Sequence, residues 1–153
     1  FLLNGIILLL VPSKNCTKPL SLGSMLQLSA LHHIAIICSD YSLSKNFYTQ
    51  VLGFKPIREI YRAERRSYKL DLELNGTYLI ELFSFPDPPS RVTGPEACGL
   101  RHLAFAVADI QNEVATLTNL GIKVEPIRVD EHTGKKFTFF SDPDQLPIEL
   151  YQI

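Results

Sequence analysis

The chain states one pattern twice, with a histidine and a glutamate in each copy. HHIAIICSDYSLSKNFYTQVLGF, beginning at His32, is echoed by RHLAFAVADIQNEVATLTNLG, beginning at Arg101. YLIELF, beginning at Tyr78, is echoed by LPIELY, beginning at Leu146. His33 therefore corresponds to His102, and Glu81 to Glu149. Two half-domains, each offering one imidazole and one carboxylate at matched places, point to a four-ligand metal site. Borderline and hard divalent metals take mixed nitrogen and oxygen ligand sets of this kind.

The order of elements is the same in both halves. HHIAII alternates as a strand does, with Ile34 and Ile36 on one face and His33, Ala35 and Ile37 on the other. Ser42 is placed to cap a helix carrying Leu43, Phe47 and Val51, and Gly53 closes it. Strands are expected over Lys55 to Tyr61, around Leu70, Leu72 and Leu74, and in TYLIELF, the last two joined by the hairpin signal Asn75-Gly76. The second half gives HLAFAV, a helix capped by Asp109 and ended by Gly121, then KVEPI, KKFTFF and LPIELY as strands, with DPDQ as the last turn. Four prolines between Pro86 and Pro95 make the intervening stretch a loop, because it cannot continue a sheet ladder. The fold class expected is α+β: two tandem βαβββ modules, about 30–85 and 100–153, forming a curled mixed sheet around a metal site.

The pleat places the ligands. His33 and His102 share their faces with Ala35 and Ala104, small residues that leave room above the sheet. Glu81 and Glu149 face away from their bulky neighbours Ile80, Leu82, Ile148 and Leu150. A mid-strand glutamate among apolar residues is expensive to bury unless something positive meets it. One cation would serve both. Alternation sends His32 to the opposite face as a structural residue, and His132 sits in the turn-like DEHTGK as a solvated one.

Composition narrows the partners. A net charge of −1 supplies no basic field, so nucleic acid is excluded. Cys16, Cys38 and Cys98 are odd in number and form no CxxC pair, which argues against a disulfide framework and a thiolate zinc site. Cys38 reads as a buried small hydrophobe. Residues 1–24 open with the apolar FLLNGIILLLVP, too short to span a membrane, which takes about 20 residues. They are read as an extension outside the fold, with residues 25–153 as a single domain in a cytoplasmic protein that does not enter a membrane.

These motifs resemble the vicinal-oxygen-chelate superfamily of glyoxalases, bleomycin-resistance proteins and dioxygenases. Within it they are most similar to the glyoxalase I type and its bacterial YaeR-like subgroup, through HHIAI, ELFSFP, PEACGLRHLAF and FTFFSDPDQLPIELY. The resemblance implies one divalent metal per site (Ni, Zn, Co or Mn) held by His33, Glu81, His102 and Glu149. It implies lyase or isomerase chemistry through a metal-chelated enediolate, with Glu81 or Glu149 as the catalytic base. The substrate implied is the hemithioacetal of an α-ketoaldehyde such as methylglyoxal with a cellular thiol. A homodimer is expected, with ligands from one chain or from two. Fosfomycin-resistance enzymes and extradiol dioxygenases resemble this pattern without a ligand at the place of Glu81. An Fe(II) dioxygenase and an antibiotic-binding module are thus the rival classes.

One departure concerns the thiol. Glutathione-using relatives carry an Arg and an Asn at the places of Ile37 and Phe85, so the usual glutathione grip is missing. Arg62 and Arg65 are candidates for binding a substrate carboxylate, which guanidinium groups hold in bidentate fashion.

Overall fold

Each copy of the repeat folds into its own four-stranded mixed sheet, and the two sheets have the same strand order. The computed structural model describes residues 26–153, so Cys16 and the extension expected over residues 1–24 lie outside the described residues. In the first half, β1 (Ile34–Cys38) leads into α1 (Tyr41–Asn46), continued by a π-helical turn over Phe47–Val51. Then come β2 (Lys55–Arg62), a 3-10 turn (Ala63–Arg65), β3 (Ser67–Leu74) and β4 (Thr77–Ser84). The second half gives β5 (Leu103–Val107), α2 (Ile110–Asn119), β6 (Arg128–Val129), β7 (Lys136–Ser141) and β8 (Pro147–Gln152). β1 pairs in parallel with β4, and β5 with β8, while the other ladders are antiparallel.

Local chemistry explains most of these boundaries. Asn75 and Gly76 both take positive φ, 52° and 78°, the turn that continues the twist of β3 into β4. Gly53 and Gly121 end their helices at φ 75° and 76°, a conformation glycine adopts without a Cβ clash. Asp109 caps α2 by accepting from the backbone N–H groups of Gln111 and Asn112.

Two expectations are corrected. The cap of α1 is Asp40, whose carboxylate accepts from Leu43 N–H at 2.9 Å, and Ser42 lies inside the helix. KVEPI is not a strand, and β6 is confined to Arg128–Val129. Pro126 offers no N–H to a ladder. The segment still follows β7 through Glu125, whose N–H donates to the Phe139 carbonyl and whose carbonyl accepts from the Thr138 hydroxyl.

The core lies between the two sheets, on the faces that carry the helices. Ile36, Cys38, Leu70, Leu72, Ile80 and Leu82 of the first sheet join Leu103, Phe140, Ile148 and Leu150 of the second in one buried cluster. Phe54 meets Phe105 edge-on, with ring centroids 5.9 Å apart. Cys38 is buried in this cluster as expected, and burial pushes its thiol up to about 11. The opposite faces of both sheets point away from the core. Ala35, Ile37, Ala104 and Ala106 are exposed there.

Candidate metal centre

Parallel pairing brings the histidine of each half beside its glutamate. In the first sheet Ala35 stands opposite Glu81, and His33 lies two residues earlier on the same face. In the second, Ala104 stands opposite Glu149, and His102 lies two residues earlier. The methyl groups of the two alanines leave the space in which each imidazole leans towards its carboxylate. His33 Nε2 lies 3.2 Å from Glu81 Oε2, and His102 Nε2 lies 3.2 Å from Glu149 Oε2.

The identity of these two distances matters. Ligand atoms at about 2.1 Å from a metal stand about 3.0–3.4 Å apart along an edge of its octahedron or tetrahedron. Each pair therefore has the spacing of two neighbouring ligands of one ion. The donor set, imidazole nitrogen with carboxylate oxygen, suits Zn, Ni, Co or Mn. Solvent access is also matched: the glutamate side chains are both 14% exposed and the histidines 35% and 29%. The residues present fit a divalent metal.

The two pairs do not converge within one chain. Among the described residues, no group of three or more His, Cys, Asp or Glu side chains lies close enough to hold an ion. Each chain thus presents two candidate half-sites, one on the outer face of each sheet.

The half-sites differ in what surrounds them. In the first, Lys69 Nζ reaches Glu81 Oε1 at 2.5 Å and Asp71 Oδ1 at 2.6 Å. The Tyr78 hydroxyl donates to the same Glu81 oxygen at 2.5 Å, and Arg58 closes on Asp71 Oδ2. Burial alone would raise the Glu81 carboxyl, but the hydrogen bonds from Lys69 and Tyr78 outweigh it and hold the group below the usual carboxylate range. Asp71 behaves alike: burial is overcome by Lys69 and Arg58. The Tyr78 ring stacks on His33, with centroids 5.4 Å apart. His32 does not turn away as the alternation suggested: its Nδ1 lies 2.7 Å from His33 Nδ1, because both residues precede the first strand.

The second half-site is lined by aromatics instead. Phe139 stands opposite Glu149 in the ladder and meets His102 edge-on at 5.3 Å. Among the described residues, His102 is the one charged or chargeable partner of Glu149, and His102 Nδ1 is buried without a hydrogen-bond partner.

Of the two candidate substrate arginines, Arg62 lies on the ligand face of the first sheet. Its guanidinium sits over Phe83 at 4.8 Å and Phe85 at 5.6 Å, with Nη2 donating to Ser67 Oγ. Arg65 is exposed in the 3-10 turn beyond β2. Ile37 is 55% exposed on the ligand face, and Phe85 stacks on Phe83 beneath Arg62. Lys69, Asp71, Arg58 and Tyr78 were not anticipated. The one trace in the sequence was an aspartate in a strand whose neighbours Leu70 and Leu72 are apolar.

Two mixed sheets related by an internal repeat, each with a His/Glu pair on its outer face, define a class of protein. The chain belongs to the Glyoxalase/Bleomycin resistance protein/Dioxygenase superfamily, whose profile matches residues 30–150. It is 60% identical over 128 residues to the uncharacterized protein YaeR of Escherichia coli, a match spanning 84% of this chain and 99% of that protein. It is 30% identical over 139 residues to Glyoxylase I 4 of Arabidopsis thaliana, spanning 84% of this chain and 73% of that one. The crystal structure of a glyoxalase family protein from Enterococcus faecalis superposes with a TM-score of 0.75 at 51% identity, covering 80% of this chain and 96% of that chain. No helix among the described residues is long and apolar enough to cross a membrane.

Proposed function

We propose that this protein is a metal-dependent, glyoxalase-like lyase or isomerase acting on the hemithioacetal of an α-ketoaldehyde. The observation that carries the reading is the pair of half-sites with the same His–Glu spacing, 3.2 Å in each. Its likeness to Glyoxylase I 4 supports the reaction class. His33, Glu81, His102 and Glu149 would hold one divalent ion. Such an ion, when bound, supplies Lewis-acid stabilisation of negative charge on a substrate oxygen. Because the described residues of one chain hold only pairs, the reading includes a symmetric homodimer in which the first half-site of one copy faces the second half-site of the other. The exposed Ile37 beside the first pair supports burial of that face.

The chain's own groups then divide the work. Glu81 is engaged by Lys69 and Tyr78 and serves as a fixed ligand. Glu149 has no partner beyond His102 among the described residues, so it is the carboxylate free to take the proton from the carbon next to the substrate carbonyl. Arg62, seated over two phenylalanine rings with donors to spare, would bind a substrate carboxylate, with Arg65 at the rim. With Ile37 and Phe85 at the places of the glutathione grip, a thiol other than glutathione is favoured.

The test combines metal analysis with a substrate screen. Protein purified without chelators should carry about one metal per chain, and both His33→Ala and His102→Ala should reduce that content. Methylglyoxal offered with glutathione, bacillithiol and other thiols should yield the hydroxyacyl thioester with at least one of them. Oxygen uptake with catechols, and no thioester, would replace this reading with a dioxygenase.

A further inference from the structure

Asp71 on β3 and Glu81 on β4 stand directly opposite each other, two carboxylates on one face of an antiparallel ladder. Like charges so placed repel. Lys69 lies between them, 2.6 Å from Asp71 Oδ1 and 2.5 Å from Glu81 Oε1. Arg58 occupies the other Asp71 oxygen at 2.6 Å, and Asp71 itself is only 3% exposed. Buried ion pairs of this kind contribute little net stability, since desolvation offsets the attraction. Stability is therefore a weak reason for four polar side chains to meet here.

Their geometry gives a better one. Lys69 and Tyr78 both bond Glu81 Oε1, leaving Oε2 directed at His33 Nε2. The carboxylate is thereby fixed in rotation and presents one oxygen. The second half lacks the whole device. By strand register the places of Lys69 and Asp71 are taken by Phe137 and Phe139, and no lysine or hydroxyl bonds Glu149 among the described residues. The two halves repeat the ligands but not their supports.

We infer that Lys69, assisted by Tyr78 and anchored through Asp71 and Arg58, is a positioning residue that holds Glu81 as a rigid single-oxygen metal ligand. The inference rests on Glu81 being a ligand, as proposed above. Loss of a group that orients a metal ligand typically costs 10–100-fold in metal affinity.

The experiment is a titration of the metal-stripped full chain with Ni(II) or Zn(II) alone, in competition with a chromophoric chelator. Lys69→Met should raise the metal Kd about 10–100-fold. It also leaves two facing carboxylates without their shared cation, so the metal-free protein should melt lower, and the titration is run well below that melting temperature. Lys69→Arg, which keeps a cation near Glu81, should recover part of the loss, and Tyr78→Phe should weaken binding to a smaller degree. Lys45→Met, which breaks the Lys45–Glu59 pair between α1 and β2, should leave metal affinity unchanged. Wild-type affinity in Lys69→Met overturns the inference. So does tighter binding, which would make Lys69 a competitor of the metal for Glu81. Should Lys69→Met fail to fold, Tyr78→Phe decides alone, and an unchanged Kd there sinks the idea. A wild-type chain that binds neither ion removes the metal reading and this inference together, whereas a wild type that needs His33 and His102 but not Lys69 removes only the inference.

Discussion

Tyr48 and Asp142 tie the two halves of the repeat together. The Tyr48 hydroxyl donates to Asp142 Oδ2 at 2.9 Å, and both residues are shut off from solvent. The other Asp142 oxygen accepts from the backbone N–H groups of Asp144 and Leu146, so the same carboxylate shapes the turn before β8. Asp144, in that turn, accepts from Ser39 at the end of β1. Tyr48→Phe would leave a buried carboxylate oxygen without its donor, an omission that costs about 1–3 kcal/mol. Urea unfolding at neutral pH should show a loss of that size.

The pair formed by Lys45 and Glu59 predicts a pH dependence. The Lys45 hydrogen bond, followed by that from Tyr41, holds the Glu59 carboxyl below its ordinary 4.5. A group depressed in the folded state contributes stability that is present above the unfolded value and lost as pH falls through the folded one. The stability difference between wild type and Lys45→Met should thus be constant at pH 6–8 and shrink towards zero as pH falls below about 4.5. The pair is about one-third exposed, so the plateau is expected to be small. A difference that grew in acid would contradict the assignment. Denaturant midpoints of the two proteins, compared across that pH range, supply the measurement.

Asp109 offers a check on the second helix alone. Its carboxylate accepts from two backbone N–H groups that α2 leaves without internal partners. Asp109→Ala should lower stability by about 0.5–2 kcal/mol. Asp109→Asn, which keeps the accepting oxygen, should recover most of that, as thermal melts would show.

The pairing of each histidine with its glutamate was legible in the sequence, and the reason is the repeat. A strand shows its two faces through alternation, so His33 with Ala35, and Glu81 between Ile80 and Leu82, could be placed on a face from their neighbours alone. The parallel ladders of β1 with β4 and β5 with β8 then bring each histidine to its glutamate. The support of Glu81 was less legible. Lys69, Tyr78 and Arg58 are long side chains from three strands, and their meeting point depends on registers that the sequence does not print. Asp40 and Ser42 are both able caps two residues apart, and the extended backbone at Asp40 decided between them. KVEPI had the composition of a strand, yet Pro126 cannot donate to a ladder. The separation of the four candidate ligands into two pairs was hidden for a further reason: alternation tells which residues share a face, but not which faces pack on each other.

That division yields the sharpest prediction, since His33 with Glu81 and His102 with Glu149 lie on different sheets and do not meet in one chain. If a partner copy completes each site, ligands on two different chains should complement one another. His33→Ala damages the first half-site and Glu149→Ala the second. In a mixed dimer of the two variants, one site receives both damaged halves and the other receives both intact ones. After unfolding and refolding an equal mixture, half of the dimers are mixed and each has one intact site of two. Tight metal binding should then return to about a quarter of the wild-type level. Neither variant refolded alone should show it. With all four ligands supplied by one chain, every site in every mixture keeps a defect, and no tight binding returns at any ratio. Metal stoichiometry after gel filtration of the refolded mixture separates the two outcomes without any knowledge of the substrate.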